Sequence, residues 1–501
     1  MTSLNRKMAK GASWLILFRL VERGIGFVST LILARLLVPA DFGLVAMAMS
    51  ILAFVGMLSA FSFDVALIQN ASAERRHYDT AWTFNVIVGI FNALVLVVLA
   101  LPVADFYNEP RVAGIMVGLA VICAISGFSN IGVVAFQKDL ELHKEFILGV
   151  TKKVIAFVVT ISLAFILGSY WALIAGTLAS AVVAVFMSYQ MHPYRPRFSM
   201  QGRKELFHFS KWMLLNNLLI SLAHRVPDLV IGKLAGPSAL GLYTVAYEIS
   251  NLPTTELVFP VSRAVFPGYA KMAGDGDLLR RGFLDVLAVI LLVTVPAGLG
   301  IIALAEPFVH VLLGAKWAAA VPLIQVLGVY GIVRAAGSNT GAVYLALGQP
   351  QLLTYLTLLF LSVLFPALWW LVSAYGAIGA AYAVLLAATM QLPFAFGVVM
   401  RQLGVGIGAL ASVVWRPVVA GLLMAAAIIV VRSGWIAENA SQPPGFLVQL
   451  LTLVPMGAAT YAIAVLGFWY LNGRPDGGES KLLALAAVAL SKLRKRVANF
   501  T

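Results

Sequence analysis

The first apolar segment of the chain carries three ionisable side chains at spacings that place them on one face of a helix. They are Arg19, Glu22 and Arg23, which follow the sequence WLILF. If this segment crosses a membrane, Glu22 and Arg23 lie about 15 Å below the inner surface of the membrane, near its middle. Charges at that depth are costly and usually face an internal polar cavity. Two guanidinium groups against one carboxylate predict a site for an anion, since the planar guanidinium fits phosphate oxygens.

Further charges occur inside later apolar segments, among them Arg225 and Asp228, which are three residues apart. For any single residue, simple pairing with a neighbouring charge is the alternative to a role in transport. Taken together, the charges predict a polar translocation cavity. We expect the substrate anion to contact Arg19, Arg23, Arg225 and Arg334. We expect the charge partners or ion-coupling groups to be Glu22, Asp64, Asp228, Glu248, Glu256 and Arg263.

The composition places these charges in a membrane protein. Of the 501 residues, 61% are hydrophobic and 11% are charged, whereas soluble proteins carry roughly 25% charged residues. Apolar runs of about 20 residues indicate membrane helices, and the alternation typical of a barrel is not found. The single cysteine, Cys123, excludes an internal disulfide. No metal-ligand spacing or nucleotide motif occurs, so we predict an all-α polytopic membrane protein without catalytic residues, metal or cofactor.

Fourteen transmembrane spans are predicted, and the basic residues orient them. Of the 35 Lys and Arg residues, 25 lie in or at the membrane edge of the N-terminus, the even-numbered connections and the tail, against three in the odd-numbered ones: Arg111, Lys316 and Arg432. Basic connections remain in the cytoplasm, so both termini are expected there. The net charge of +14 therefore reflects topology and predicts no nucleic-acid partner. The spans are 12–37, 42–68, 82–104, 112–136, 150–168, 170–190, 212–234, 240–269, 283–304, 321–347, 351–372, 376–399, 415–432 and 447–470.

A shift of 198 residues aligns the first two spans with the seventh and eighth. Eleven of the 38 pairs from residue 14 to residue 51 are identical, and Pro39 falls on Pro237 and Gly43 on Gly241. Arg35 falls on Lys233, just before each proline, where a basic side chain can reach the outer interface. Six spans separate the two copies, so we predict two parallel, pseudo-symmetric six-helix lobes, with two extra C-terminal helices. Transporters built from repeats hold the substrate between them.

The predicted domains follow from this repeat. Residues 1–191 form an N-terminal six-helix lobe, 192–211 a basic cytoplasmic linker and 212–400 a C-terminal six-helix lobe. Residues 401–471 hold the extra helices, and 472–501 form a cytoplasmic tail. The tail has leucines at helical spacing beside Lys492 and Arg494, which predicts an amphipathic helix on anionic membrane lipid. A solvated helix is the alternative.

Three segments carry a family resemblance: residues 11–47, residues 256–272 with their VFPGYAKM run, and residues 308–350. They resemble the Wzx-type polysaccharide flippases, closest to the WzxC-like exporters of the multidrug/oligosaccharidyl-lipid/polysaccharide superfamily. The resemblance implies translocation of undecaprenyl-diphosphate-linked oligosaccharide repeat units across a bacterial inner membrane by alternating access of two lobes around a cationic cavity. It also implies polysaccharide polymerase machinery as a partner. It supplies no invariant catalytic residue, so the site assignments rest on the charges.

Several other functions compete with this interpretation. A drug/cation antiporter of the same superfamily would need carboxylates that are not outnumbered by arginine in the first lobe. A peptidoglycan lipid-precursor flippase handles the same anionic lipid head. A membrane polymerase or glycosyltransferase would need a large loop rich in carboxylates or histidines, and the outer loops such as RSGWIAENASQPPG are poor in both.

Overall fold

A computed structural model of the chain consists of helices joined by short connections. It describes residues 3–58, 67–68, 74–201, 203–254, 258–439, 443–475 and 477–481, and these ranges contain no strand. The long helices are α1 (Ser3–Leu36), α2 (Pro39–Leu58), α3 (Arg75–Tyr107), α4 (Arg111–Gly127), α5 (Leu142–Leu167), α6 (Trp171–Met191), α7 (Arg203–Pro253), α8 (Phe259–Met272), α9 (Gly276–Ala303), α10 (Val321–Ala346), α11 (Gln351–Tyr375), α12 (Ala377–Leu403), α13 (Ile407–Asn439) and α14 (Pro443–Leu471).

Short helical turns extend two of the connections. After α4, a 3₁₀ turn over Ile131–Val134 and a helical turn over Ala135–Lys138 bend the chain by 71°. Between α9 and α10, a π-helical turn over Val309–Leu313 leads to a 3₁₀ turn over Ala315–Ala320. Gly314 joins these two turns with φ 98°, a conformation that favours glycine.

The helices form two compact units, Met1–Thr244 and Val245–Thr501. Within the first unit, α3 packs on α4, α5 on α6, α4 on α6 and α2 on α4. Within the second, α9 packs on α10, α11 on α12, α10 on α12 and α8 on α10. Adding six to each helix number converts the first set of pairs into the second. The packing therefore repeats with the sequence, and the bounds of the predicted lobes stay a prediction.

The all-helical membrane architecture is confirmed, whereas the exact number of spans stays a prediction. Within the described ranges, 11 helices are long and apolar enough to cross a membrane, or 12 if the bent pair after Arg111 is one span. Helix α1 is not among them, and it is the helix that carries Arg19, Glu22 and Arg23. These three charges lower the mean hydropathy of the segment, and hydropathy is the property by which membrane spans are recognised.

Both repeated Pro–Gly motifs lie at sharp turns. Helix α1 ends at Leu36 and α2 begins at Pro39, where the carboxylate of Asp41 accepts a hydrogen bond of 3.1 Å from the backbone N–H of Val38. In the second copy, Gly236 breaks α7 with φ 82° and ψ −179° immediately before Pro237. A glycine at this position allows the backbone to turn without a Cβ clash.

The core of the second unit lies where α8, α9, α10 and α12 meet. Phe283, Leu287, Val343 and Val399 are fully buried there. Polar groups hold the same helices in register, because Tyr269 and Asn339 are joined by a hydrogen bond of 3.0 Å. Asn339 also donates to the backbone oxygen of Phe283 at 3.1 Å. A buried network with its groups satisfied fixes one arrangement of the helices.

Candidate substrate-binding site

Arg334 lies at the centre of a polar cluster inside the second unit. Its Nη1 atom donates to the hydroxyl of Tyr247 at 3.1 Å and to the side-chain oxygen of Asn251 at 3.3 Å. The ring of Tyr330 lies beside that of Tyr247, with centroids 6.1 Å apart. Within the described part of the chain, no carboxylate lies within ion-pair distance of Arg334. Among the described residues, the partners of this guanidinium are therefore neutral and none of them offsets its positive charge.

Close packing between α7 and α10 positions the cluster. Ser250 donates to the backbone oxygen of Ile324 at 3.2 Å, and Thr254 donates to that of Gly331 at 3.1 Å. A Cβ on Gly331 would lie 3.1 Å from the backbone oxygen of Ser250, so the small residue permits this approach. Rigid flanking contacts keep polar side chains in a binding geometry.

The sequence predicted Arg334 but missed its partners. Tyr247 and Asn251 are four residues apart on α7, and Tyr330 and Arg334 are four apart on α10. Each pair therefore lies on one helical face. Polar pairs at this spacing within apolar helices were the available signal. Which two helices bring the pairs together could be learned only from the fold.

Arg225 and Asp228 are brought together in the first unit. Nη1 of Arg225 lies 3.4 Å from Oδ2 of Asp228, and the two side chains are 43% and 16% exposed. The arginine is thus the more accessible partner, with donors remaining for a ligand. Pairing with a neighbouring charge, the predicted alternative to a role in transport, is formed here, and it does not bury the guanidinium.

On α1, the predicted charged face is partly accessible. Arg19 and Arg23 are exposed and Glu22 is half-buried. Glu248 on α7 is also exposed. Asp64 and Glu256 lie outside the described residues, and Arg263 lies in α8 with its side chain outside them. The role of each of these residues remains a prediction.

Two ion pairs made by α13 in the second unit were not predicted. Nη1 of Arg416 on α13 lies 2.6 Å from Oε1 of Glu479, and both side chains are almost completely buried. Arg432, near the other end of α13, pairs with Glu306. Both pairs join residues distant in sequence, so spacing gave no signal. Arg416 fastens the segment after α14 to the helices and is unsuited to bind a mobile substrate.

The basic connections of the first unit lie at one end of its helices. Tyr194 donates to Oδ1 of Asp79 at 2.6 Å, and the backbone N–H of Arg197 donates to the same oxygen at 2.8 Å. Burial, and then the hydrogen bond to Asp79, raise the pKa of the Tyr194 hydroxyl. These contacts fasten residues 192–200, which lead from α6 towards α7, to the first turn of α3. In the described residues, no group of three His, Cys, Asp or Glu side chains could hold a metal ion.

Comparison of the sequence with known families and proteins gives consistent matches. A family model described as "Polysaccharide biosynthesis protein" matches residues 32–322. The lipopolysaccharide biosynthesis protein WzxC of Escherichia coli (strain K12) is 26% identical over 69% of this chain and 71% of its own. The succinoglycan biosynthesis transport protein ExoT of Rhizobium meliloti (strain 1021) is 24% identical over 92% of this chain and 93% of its own.

Two solved structures share the fold. The lipid II flippase MurJ, in an inward closed conformation, has a TM-score of 0.72 with 14% identity over 91% of this chain and 99% of its own. An inward-facing multidrug resistance MATE family transporter has a TM-score of 0.59 with 14% identity over 76% of this chain and 94% of its own. At such low identity the likeness establishes the arrangement of helices.

Proposed function

This chain belongs to the polysaccharide biosynthesis protein family, and we propose that it is a flippase for lipid-linked oligosaccharides. It moves undecaprenyl-diphosphate-linked repeat units of an exopolysaccharide, capsule or lipopolysaccharide from the inner to the outer leaflet of a bacterial inner membrane. Its relatives include proteins named for lipopolysaccharide biosynthesis and for succinoglycan transport. The protein is a transporter, and the chemistry of bond formation belongs to its partners.

The observation that most strongly supports an anionic substrate is the environment of Arg334. A guanidinium at membrane depth, bonded to a tyrosine hydroxyl and an amide oxygen, favours an anion over a cation. Diphosphate oxygens accept two parallel hydrogen bonds from one guanidinium. The hydroxyl and amide groups beside it suit the first sugar, while the polyprenyl chain stays in lipid. We assign the same anion-binding role to Arg19, Arg23 and Arg225.

Alternating access of two lobes is the mechanism that the parallel repeat supports. Repeat-built transporters expose a site between the repeats to each side in turn. We propose lobes 1–191 and 212–400, joined by the linker 192–211, with 401–471 as an appendage. Both termini are proposed to face the cytoplasm, the side that retains basic connections. The tail, residues 472–501, is proposed to lie on anionic lipid, and its residues after 481 lie outside the part of the chain that the structure describes. Polymerase machinery is the proposed protein partner.

Two rival functions within the same fold make different demands on the site. A drug/cation antiporter needs an unbalanced carboxylate, and the Arg334 cluster contains none in the described residues. A peptidoglycan-precursor flippase recognises the same diphosphate head, and MurJ has the same arrangement of helices. The rival flippase differs in the group that the diphosphate carries, so only a comparison of substrates separates the two.

Reconstitution provides the decisive test. The purified chain is placed in vesicles that contain a fluorescent polyprenyl-diphosphate oligosaccharide, and an impermeant reagent measures how much glycan reaches the outer surface. We expect protein-dependent exposure of the glycan and no accumulation of cationic drugs. Parallel vesicles carry lipid II, and proton and sodium gradients are imposed separately. Drug accumulation without glycan movement, or movement of lipid II alone, would overturn the proposal.

A further inference from the structure

A groove on the surface of the first unit is not used by the proposed transport cycle. It has a volume of about 830 Å³, within the roughly 300–1,000 Å³ that ligand sites occupy. Its walls come from α4, α6 and the connection after α6. The lining residues are Ile125, Val182, Val185, Phe186, Tyr189, Gln190 and Arg195.

The apolar part of the groove faces away from the helix bundle. Val182 and Phe186 are 48% and 61% exposed, and their spacing of four places them on one face of α6. Helix α6 is apolar and long enough to cross a membrane. An exposed apolar face on such a helix contacts lipid chains.

The polar end of the groove holds the guanidinium group of Arg195. Nη1 of Arg195 donates to the backbone oxygens of His192 and Tyr194, both at 2.9 Å. The guanidinium lies 5.7 Å from the centre of the Tyr189 ring. Among the described residues, no carboxylate pairs with Arg195, and its Nε and Nη2 atoms are left to bind a ligand. The two hydrogen bonds therefore fix the orientation of the guanidinium, and its remaining nitrogen atoms can bind an anion.

Neighbouring groups increase the positive potential around Arg195. Arg75 donates from Nη2 to the backbone oxygen of Arg195 at 3.2 Å, and Arg197 is exposed two residues further on. The nearby carboxylate of Asp79 is already occupied by Tyr194, the backbone of Arg197 and Arg75. An apolar groove that ends in clustered arginines is complementary to an anionic lipid.

We propose that this groove binds one anionic phospholipid of the leaflet that contacts this end of the helices. The phosphate binds the free donors of Arg195, and the head group lies level with Tyr189, as aromatic residues do at membrane interfaces. One acyl chain runs along Ile125, Val182 and Phe186. The bound lipid would hold the connection that leads to α7 against α6.

Native mass spectrometry of the full chain tests this assignment. The protein is titrated with phosphatidylglycerol and, separately, with phosphatidylcholine of the same chain length. We expect one phosphatidylglycerol molecule to be retained preferentially. Arg195→Ala should lower its occupancy about fivefold, the factor expected for one basic residue at an anionic surface. Arg195→Lys should keep most of the binding, because the charge remains.

Two further variants separate the groove from general surface charge. Val182→Trp fills the apolar part at an exposed position and should also reduce retention. Arg474→Ala is the matched control, because Arg474 also lies over a tyrosine ring, that of Tyr470 at 4.8 Å, but is remote from the groove in sequence. It should bind phosphatidylglycerol like the unaltered protein.

Three results would overturn the proposal. The first is equal retention of phosphatidylcholine and phosphatidylglycerol, and the second is an equal loss in the Arg195→Ala and Arg474→Ala variants. The third is displacement of phosphatidylglycerol by a polyprenyl phosphate at lower concentration, which would assign the groove to the transported substrate. None of these results affects the flipping assay, so failure here leaves the proposed function standing.

Discussion

Gly43 and Gly241, which the 198-residue repeat aligns, make reciprocal contacts with each other's Pro–Gly motif. A Cβ on Gly43 would lie 1.7 Å from the carbonyl oxygen of Pro237, and one on Gly241 would lie 1.8 Å from that of Pro39. Both contacts lie within the first unit. The glycines are therefore needed because two backbones cross there with no room for a side chain.

Replacing either glycine should loosen this crossing. Gly43→Ala or Gly241→Ala forces backbone atoms apart, and overpacking of this kind costs about 1–3 kcal/mol. We expect a lower thermal unfolding temperature for either variant in detergent. Gly56→Ala, on the same helix α2 with nothing within 4 Å of its Cβ position, is the control. Equal stability of all three variants would contradict the close crossing.

Arg334 should be required for translocation. Arg334→Ala removes a hydrogen-bonded charge worth about 1.5–3 kcal/mol to a bound anion, which corresponds to a roughly 10- to 100-fold loss of flipping rate. Arg334→Lys keeps the positive charge but cannot donate two parallel hydrogen bonds. Its flipping rate should lie between those of the unaltered protein and Arg334→Ala. The vesicle assay measures all three proteins.

The control for Arg334 is Arg281→Ala, which removes an exposed arginine at the start of α9. It should flip the glycan at the normal rate. Thermal unfolding of each variant checks that the fold is retained. Normal flipping by a stably folded Arg334→Ala protein would remove this residue from the site.

Arg23→Ala and Arg225→Ala should each abolish translocation while the protein still inserts into the membrane. For Arg225, a double variant separates substrate binding from simple pairing with Asp228. If pairing alone matters, adding Asp228→Asn to Arg225→Ala restores activity, because the unpaired carboxylate is removed. We expect the double variant to stay inactive, as measured by glycan exposure at matched protein levels in membranes.

The sequence predicted those features that depend on local spacing, and the fold supplied those that depend on distant contacts. Pro39 and Gly43 marked both the turn and the repeat, because a tight crossing restricts residue type at fixed positions. The spacing of three placed Arg225 and Asp228 on one helical face, and the two side chains are in contact. Glu479 carried no such signal, since its partner Arg416 is on another helix. Tyr247 and Asn251 could not be predicted as partners of Arg334 for the same reason, since they lie on α7 and Arg334 lies on α10.

The buried pair of Arg416 and Glu479 should be important for stability. Glu479→Ala leaves a guanidinium buried without its counter-charge, which costs about 3–5 kcal/mol. Lys481→Ala, which removes a more exposed pair with Asp285 in the same segment, should cost under about 1 kcal/mol. Thermal unfolding monitored by circular dichroism compares the two variants. A larger effect of Lys481→Ala would show that this segment is held by its surface contacts.

Protonation of His192 should make the free energy of unfolding depend on pH, because His192 begins the segment 192–200 that packs on α3. Its neutral ring accepts a hydrogen bond of 3.2 Å at Nδ1 from the backbone N–H of Tyr194. Burial lowers the pKa of His192, Lys144 and Arg195 lower it further, and Asp139 and Glu141 oppose them. The folded state therefore binds the proton more weakly than the unfolded chain does.

It follows that the unfolding free energy should be highest above about pH 6.5, the unfolded pKa of histidine. It should decrease as the pH falls through the lower folded pKa, because protonation then opposes folding. His192→Gln cannot be protonated in this range and should flatten this part of the profile. Unfolding temperatures measured from pH 7.5 to pH 5 compare the two proteins. An identical decline in both would place the acid sensitivity in another group.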